Sequence, residues 1–499
     1  MRAALRTATD LVLLFGAALL VRIPQLLGDG RLLDGDEAIV GLMARRLLVA
    51  GEAPLVFWGQ RYGLSVVEAG AVSGSYGVLG YGDLAVRVGS LVVFALGAFC
   101  FLRALLRLDP PRPGRARVLA LLLVTAPAWG VWALKARGGY GTALAATFLA
   151  LYLGLVAAER RRALWPFLAG AAVGLAGAAQ PLWLPGAALL TAAALGGRSA
   201  PRSLGAAGLG VLAVAALVVW GTPAGAPAHA VGAGLGGVAH ALGRLPALLL
   251  GALTNTFYLE LTWPAAWPAL GWALLFLGAL AWGAVHHLRA VTHHPAGVPP
   301  SARHRVASAA LLASALSLLP VLLLERPGAR YLLPFFGYGL VFLATLDLDA
   351  RRAARALTVL LGLTGALAVS ARTGWLPPRS ADLPAERTLL LEAVDTLRAR
   401  GATEVLSAGP LLQWQVMFYS AEAVRARFRF RQDRYPPYAQ DVNAAWAANG
   451  VPAILGTPGD FSRLEAHGLA QRVRWINPRY GLVPRGDSAV ARALGFEAP

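Results

Sequence analysis

Apolar blocks recur along most of the first 371 positions, separated by short segments of Arg, Gly and Pro. They run about 17 to 23 residues, enough to cross roughly 30 Å of hydrocarbon as a helix. Leu and Ala dominate and the apolar positions do not alternate, so the pattern is that of spanning helices, not of barrel strands. It predicts a polytopic α-helical membrane protein with about eleven transmembrane helices, at 11–27, 84–106, 118–134, 141–158, 163–179, 181–196, 204–221, 269–288, 306–324, 330–347 and 354–371. Segments 63–80 and 245–262 are too polar or too Gly-rich for this pattern and read as re-entrant or interfacial.

Beyond 371 the periodicity changes. "AERTLLLEAVDTLRARG" predicts a helix, "ATEVLSA" a strand, "PLLQWQVMFYSAE" a helix, "VRARFRF" a strand, "AQDVNAAWAANG" a helix, "VPAILGT" a strand and "PGDFSRLEAHG" a helix. The alternation predicts a soluble α/β domain over 372–499 with a largely parallel sheet, following a transmembrane domain over 1–371. No Gly-rich phosphate loop follows these strands, which argues against a nucleotide-binding domain.

Basic residues set the expected topology, because cytoplasmic loops collect Arg and Lys. With the N-terminus inside as an uncleaved first span, the clusters at 107–117, 159–162, 196–203, 286–305 and 349–355 also fall inside. Loop 28–83, the 135–140 turn, 222–268 and 325–330 fall outside, with Arg45 and Arg46 against the trend. The odd number of spans makes the C-terminal domain extracytoplasmic, on a multi-pass protein of the cell membrane.

Composition agrees: the chain is 57% hydrophobic and 14% charged, with a mean hydropathy of +0.58, outside the usual soluble range. The net charge of +19 lies in short clusters, which read as topology signals and contacts to membrane lipids, with no nucleic acid as partner. Cys100 is the single cysteine, excluding an intrachain disulfide and a Cys-rich metal site. His286, His287, His293, His294 and His304 read as solvated loop residues, and Trp263, Trp267 and Trp272 as markers of the membrane interface.

The candidate chemistry begins in "LLDGDEAIVGLMARRLL" at 32–48. Asp34 suits an N-cap, and Glu37 three positions later completes a capping-box pattern. Capping and function stay open for these two. Asp36 has no such local task. The helix dipole favours its ionised form while Glu37 and the low dielectric increase its basicity, as a base for a hydroxyl requires.

The stretch "DGDEAIVGLMARRLLVAGEAPLVFWGQRYGLSVVEA" resembles the first external loop of C-fold membrane glycosyltransferases, notably glycosyltransferase family 39, a group that includes protein O-mannosyltransferases and lipid A aminoarabinose transferases. The resemblance implies an inverting transferase of the cell envelope that takes a sugar from a polyprenyl phosphate and passes it to a lipid, glycan or protein acceptor. It implies Asp36 as catalytic base with Glu37 as its pair. In "LKARGGYG" it implies Lys135, Arg137 and Tyr140 as substrate-binding residues, and in "ERPGARYLLP" Arg330 and Tyr331, with Glu68 on sugar hydroxyls. Snorkelling arginines and an interfacial tyrosine belt explain the same residues singly, and Arg87 reads as such an anchor. A metal requirement stays open, because the external carboxylates could hold a divalent cation, and no other cofactor is implied. A transporter or lipid flippase is the alternative, disfavoured because the charges sit at span ends and no repeat is visible. A non-catalytic scaffold is a third reading.

Overall fold

A computed structural model of the protein describes residues 2–27, 32–60, 63–160, 162–196, 200–221, 235–254, 266–294, 300–320, 328–346 and 386–499, with isolated positions 359, 362, 363 and 365. Four described helices, or five with one bent pair, are long and apolar enough to cross a membrane. They include Asp83–Leu108, Tyr140–Glu159 and the greater part of Ala200–Gly221 and Ala266–Thr292. Shorter apolar helices occupy the expected spans at 163–179, 181–196 and 330–347. The span expected at 354–371 lies almost wholly outside the described residues.

Two expected spans are broken. The 118–134 block is a bent pair, Pro113–Thr125 and Pro127–Leu134, at 50°. Pro127 explains the break, since proline has no N–H to continue the ladder. The first helix, Arg2–Leu20, also stops early, and Arg22 beyond its end is fully buried. Its guanidinium donates to the carbonyls of Ala18 and Val124 at 3.0 Å, Trp129 at 3.1 Å and Gly130 at 3.3 Å. One side chain thus satisfies carbonyls that both breaks release.

Elsewhere the helices meet through small residues. Leu164–Ala179 and Ala200–Gly221 cross so closely that a Cβ on Gly170 would lie 1.9 Å from the Ala207 carbonyl oxygen. This is how apolar helices gain contact where lipid competes for every larger side chain. Several expected topology arginines also serve helix C-termini: Arg115 and Arg303 both donate to the Leu346 carbonyl, at 2.9 and 2.7 Å.

Three readings are corrected in this region. Trp272 is buried at 2% exposure and stacks on Phe276 with ring centroids 5.2 Å apart, so it is core and not interface. His287 is a buried helix residue bonded to Ser308 at 3.0 Å, not a solvated loop residue. Arg87, also buried, donates to the Gln25 carbonyl at 3.2 Å and does not snorkel.

The C-terminal segment carries β1 (Glu404–Ser407), β2 (Arg425–Arg427), β3 (Ala453–Gly456), β4 (Arg474–Trp475) and β5 (Gly481–Val483). Their order is β2-β1-β3-β5-β4. The β2-β1-β3 half is parallel, but β3-β5 and β5-β4 pair antiparallel, against the largely parallel sheet expected.

Helix Leu412–Tyr419 packs on the loop helix Gly35–Ala50, and the two share one hydrophobic cluster that includes Ile39, Leu42, Met43, Trp414, Met417 and Phe418. Polar bonds seal the contact. Leu33 N donates to the Tyr419 hydroxyl at 3.1 Å, Gln415 Nε2 to the Leu33 carbonyl at 2.7 Å, and the Tyr81 hydroxyl to the Phe418 carbonyl at 2.9 Å. Glu422 pairs with both Arg45 at 2.7 Å and Arg46 at 2.8 Å, and accepts from the Tyr438 hydroxyl at 2.6 Å.

Glu422→Ala removes a mostly buried acceptor shared by three donors and is expected to cost the local contact about 2 kcal/mol. Hydrogen exchange should then rise in 35–50 and 412–438 and stay unchanged in 140–159. Equal protection in the variant and the parent protein would assign the seat to apolar packing alone.

Candidate active site

The loop helix Gly35–Ala50 starts on a capping box. Asp34 Oδ1 accepts from Glu37 N, and Glu37 Oε2 accepts from Asp34 N, each at 3.0 Å. Capping, one of the two readings open for this pair, is therefore present. The same carboxylates meet cations from the 135–140 turn. Lys135 Nζ donates to Asp34 Oδ2 at 2.6 Å and to Glu37 Oε2 at 3.1 Å. Arg137 Nη1 donates to Asp34 Oδ2 at 3.2 Å, and its Nη2 pairs with Asp36 Oδ2 at 2.9 Å.

Asp36 Oδ1 faces a third cation, Arg434 Nη1, at 3.4 Å. Arg434 lies 398 positions away in the C-terminal segment, and sequence reasoning missed it. Its only local signal is a basic and aromatic run, "RQDRYPPY", which does not name its partner.

The turn carrying Lys135 and Arg137 is fixed from below. Gly138 and Gly139 adopt φ values of 59° and 79°, a region that favours glycine. A Cβ on Gly139 would also lie 2.8 Å from the Ala179 carbonyl oxygen. Gln180 Nε2 donates to the Gly138 carbonyl. The residues joined by the antiparallel Val56–Leu64 bridge rest on the same floor, with Gly63 N donating to the Ala178 carbonyl at 2.9 Å.

Electrostatics separate the acids. Burial raises the Asp34 carboxyl, but Lys135 and Arg137 outweigh it and hold the group below its ordinary value. For Glu37, burial prevails over Lys135, with Asp34 adding to the rise, and its value lies above the ordinary one. Glu68, 1% exposed, is pushed up to about 7 by burial, against backbone donors that include Gly139 N at 3.4 Å. Its Oε1 has no hydrogen-bond partner.

The structure thus brings Asp36, Glu37, Lys135 and Arg137 together, with Glu68 under the turn. Tyr140 is 4% exposed and packs on Trp132 at 4.7 Å, part of the core beneath this site. Arg330 and Tyr331 lie on the helical turn Ala329–Leu332 and bond to one another at 3.3 Å. A divalent metal fits the carboxylate cluster poorly, because ammonium and guanidinium groups pair with Asp34 Oδ2, both Asp36 oxygens and Glu37 Oε2. Among the described residues no group of three His, Cys, Asp or Glu side chains is arranged to hold one.

Comparison of the whole fold finds similar solved structures. ArnT from Cupriavidus metallidurans, in the apo state, superposes over 95% of this chain and 98% of its own at a TM-score of 0.50, with 16% identity. The chain has the C-type membrane glycosyltransferase fold. The arabinofuranosyltransferase AftD from mycobacteria overlaps 90% of this chain and 35% of its own length at a TM-score of 0.45 and 16% identity. No protein-family model and no curated protein sequence matches the chain.

The raised value of Glu68 gives a pH dependence with a definite sign. Between its ordinary 4.5 and about 7 the folded state holds a proton that the unfolded state releases. Its contribution to stability is therefore fully present at low pH and is lost as pH rises through that window. Glu68→Gln should remove the loss, so its thermal midpoint relative to the parent should climb from about pH 5 to about pH 8. A constant difference across that range would show that Glu68 does not titrate there.

Proposed function

We propose that this protein is an integral membrane glycosyltransferase that moves one sugar from a polyprenyl-phosphate donor to a lipid, glycan or protein acceptor at the extracytoplasmic face. The observation that carries the reading is the placing of Asp36 within the C-type fold. It sits at the start of the loop helix, 17% exposed, between the guanidiniums of Arg137 and Arg434. Asp34 and Glu37 are tied to backbone N–H groups by the capping box. Asp36 is held by ion pairs that an anionic substrate can exchange.

In this mechanism the Asp36 carboxylate takes the proton of the acceptor hydroxyl. The acceptor oxygen attacks the anomeric carbon from the face opposite the phosphate, forming the new glycosidic bond with inversion. The bond from that carbon to the phosphate oxygen breaks, and the electron pair leaves with the polyprenyl phosphate. Arg137 meets the negative charge that grows on the leaving phosphate, where a preorganised cation does most for the rate. Lys135 and Glu37 hold the start of the helix, and Glu68 holds the turn beneath. Arg330, bonded to Tyr331 at 3.3 Å, is the further candidate for the leaving phosphate.

The topology that goes with this has eleven spans, an inside N-terminus, and domains at 1–371 and 372–499 with the second outside. Its one exception has a physical account: Arg45 and Arg46 are matched by Glu422, so their positive charge is neutralised. A transport reading would draw on the two broken helices, but the Arg22 guanidinium at the breaks is engaged by backbone carbonyls.

The test is mass spectrometry of lipid-linked sugars and envelope glycans from cells with the parent protein, Asp36→Asn or no protein, at matched membrane levels. A glycan made only by the parent, reduced at least about 100-fold in Asp36→Asn, is expected. An unchanged glycan in Asp36→Asn would remove Asp36 as base, and identical profiles in all three strains would remove the transferase reading.

A further inference from the structure

We propose that the C-terminal segment is a working part of the site, and that Arg434 is its phosphate ligand, completing with Arg137 a two-guanidinium clasp for the phosphoryl group of a lipid-linked substrate. The proposal rests on the reading of a phosphate-bearing substrate given above.

Three observations carry it. Arg434 and Arg137 approach opposite oxygens of one carboxylate, at 3.4 and 2.9 Å. A carboxylate and a phosphate present similar paired oxygens, and guanidinium forks bind both, so the space that Asp36 bridges has the spacing and charge of a phosphate site. Arg434 is also reachable, at 36% side-chain exposure, where Lys135 is 12% and Arg137 18% exposed.

It is placed firmly as well. Its stem lies against Gly59, where a Cβ would meet its Cγ at 2.6 Å, and its guanidinium sits 5.9 Å from the Phe57 ring centre. The neighbouring Tyr435 stacks on Trp58 at 4.1 Å and donates its hydroxyl to Glu52 at 2.9 Å. Trp58 also meets Trp414 and Tyr438, with ring centroids 6.1 Å apart in each case.

Exchange of ligands follows from the ion pairing. Among the described residues Asp34, Asp36 and Glu37 pair with Lys135, Arg137 and Arg434, so an added phosphate competes with a carboxylate for each guanidinium. Asp36 is the one that no capping bond retains. Its displacement leaves the phosphate between the two guanidiniums and turns the Asp36 oxygens towards the acceptor.

Equilibrium binding of radiolabelled farnesyl phosphate to the full-length protein in nanodiscs tests this, with farnesol as the uncharged arm and inorganic phosphate as competitor. Arg434→Ala is expected to weaken farnesyl phosphate binding about tenfold or more. Farnesol binding should be unchanged, and Arg434→Lys should fall between. Protection of the C-terminal segment from protease, equal in both variants and the parent, shows that its seat is intact. Competition by inorganic phosphate at similar concentration assigns the clasp to free phosphate, and its failure to compete assigns it to the lipid-linked group. Farnesyl phosphate binding equal to the parent in Arg434→Ala, an equal loss for farnesol, or no binding to the parent would each overturn the proposal. A phosphate dependence on Arg434 in a protein that transfers no sugar would sink the transferase reading and leave the clasp standing.

Discussion

Three clustered carboxylates must be matched by cations, and among the described residues the cations paired with them come from outside their own loop. Lys135 comes from 101 positions beyond Asp34, and Arg434 from 398 beyond Asp36. An unmatched buried charge costs several kcal/mol or gives up its ionisation, so the start of helix Gly35–Ala50 holds its form only when two distant segments arrive. The first segment depends in turn on the break at Pro127, which ends one helix early and lets the chain descend through Trp132 to Lys135. Arg22 satisfies carbonyls on either side of that break. The route from a buried arginine in the first apolar block to the charge on Asp36 is thus a short chain of backbone contacts.

The second segment arrives with more than a charge. Trp414, Met417 and Phe418 share a cluster with Ile39, Leu42 and Met43, so the loop helix has no complete core without them. Glu422 adopts a φ of 64°, unusual for a residue with a side chain, and its carboxylate meets both Arg45 and Arg46. A strained backbone persists where surrounding contacts determine it. Arg45 and Arg46 thus act as docking charges for the C-terminal segment.

What the sequence made legible was local. Unbroken Leu and Ala blocks specify helices, the Asp34 to Glu37 spacing specifies a cap, and "LKARGG" specifies a basic turn beside a small-residue bend. The breaks were hidden because Pro127 and its neighbours are apolar, so the 118–134 block reads as continuous in hydropathy although its ladder cannot be. Trp272 and His287 carried compositional expectations that the packing of facing helices overrode. β4 and β5, at two and three residues, are too short to show a period, and they supply the antiparallel half of the sheet. Arg434 is one arginine in a run of several, and only tertiary structure distinguishes it from its neighbours.

The same logic of distant compensation accounts for Glu68. It lies beneath the turn that carries Lys135 and Arg137, with one oxygen near Gly139 N and the other unpaired. In its neutral form it requires little of that turn. Once ionised, it sits in a buried place whose backbone donors are Gly139 in the turn and Gly141 and Thr142 at the start of the following helix. Glu68 and the segment that places Lys135 and Arg137 therefore meet at one two-residue bend, Gly138 and Gly139.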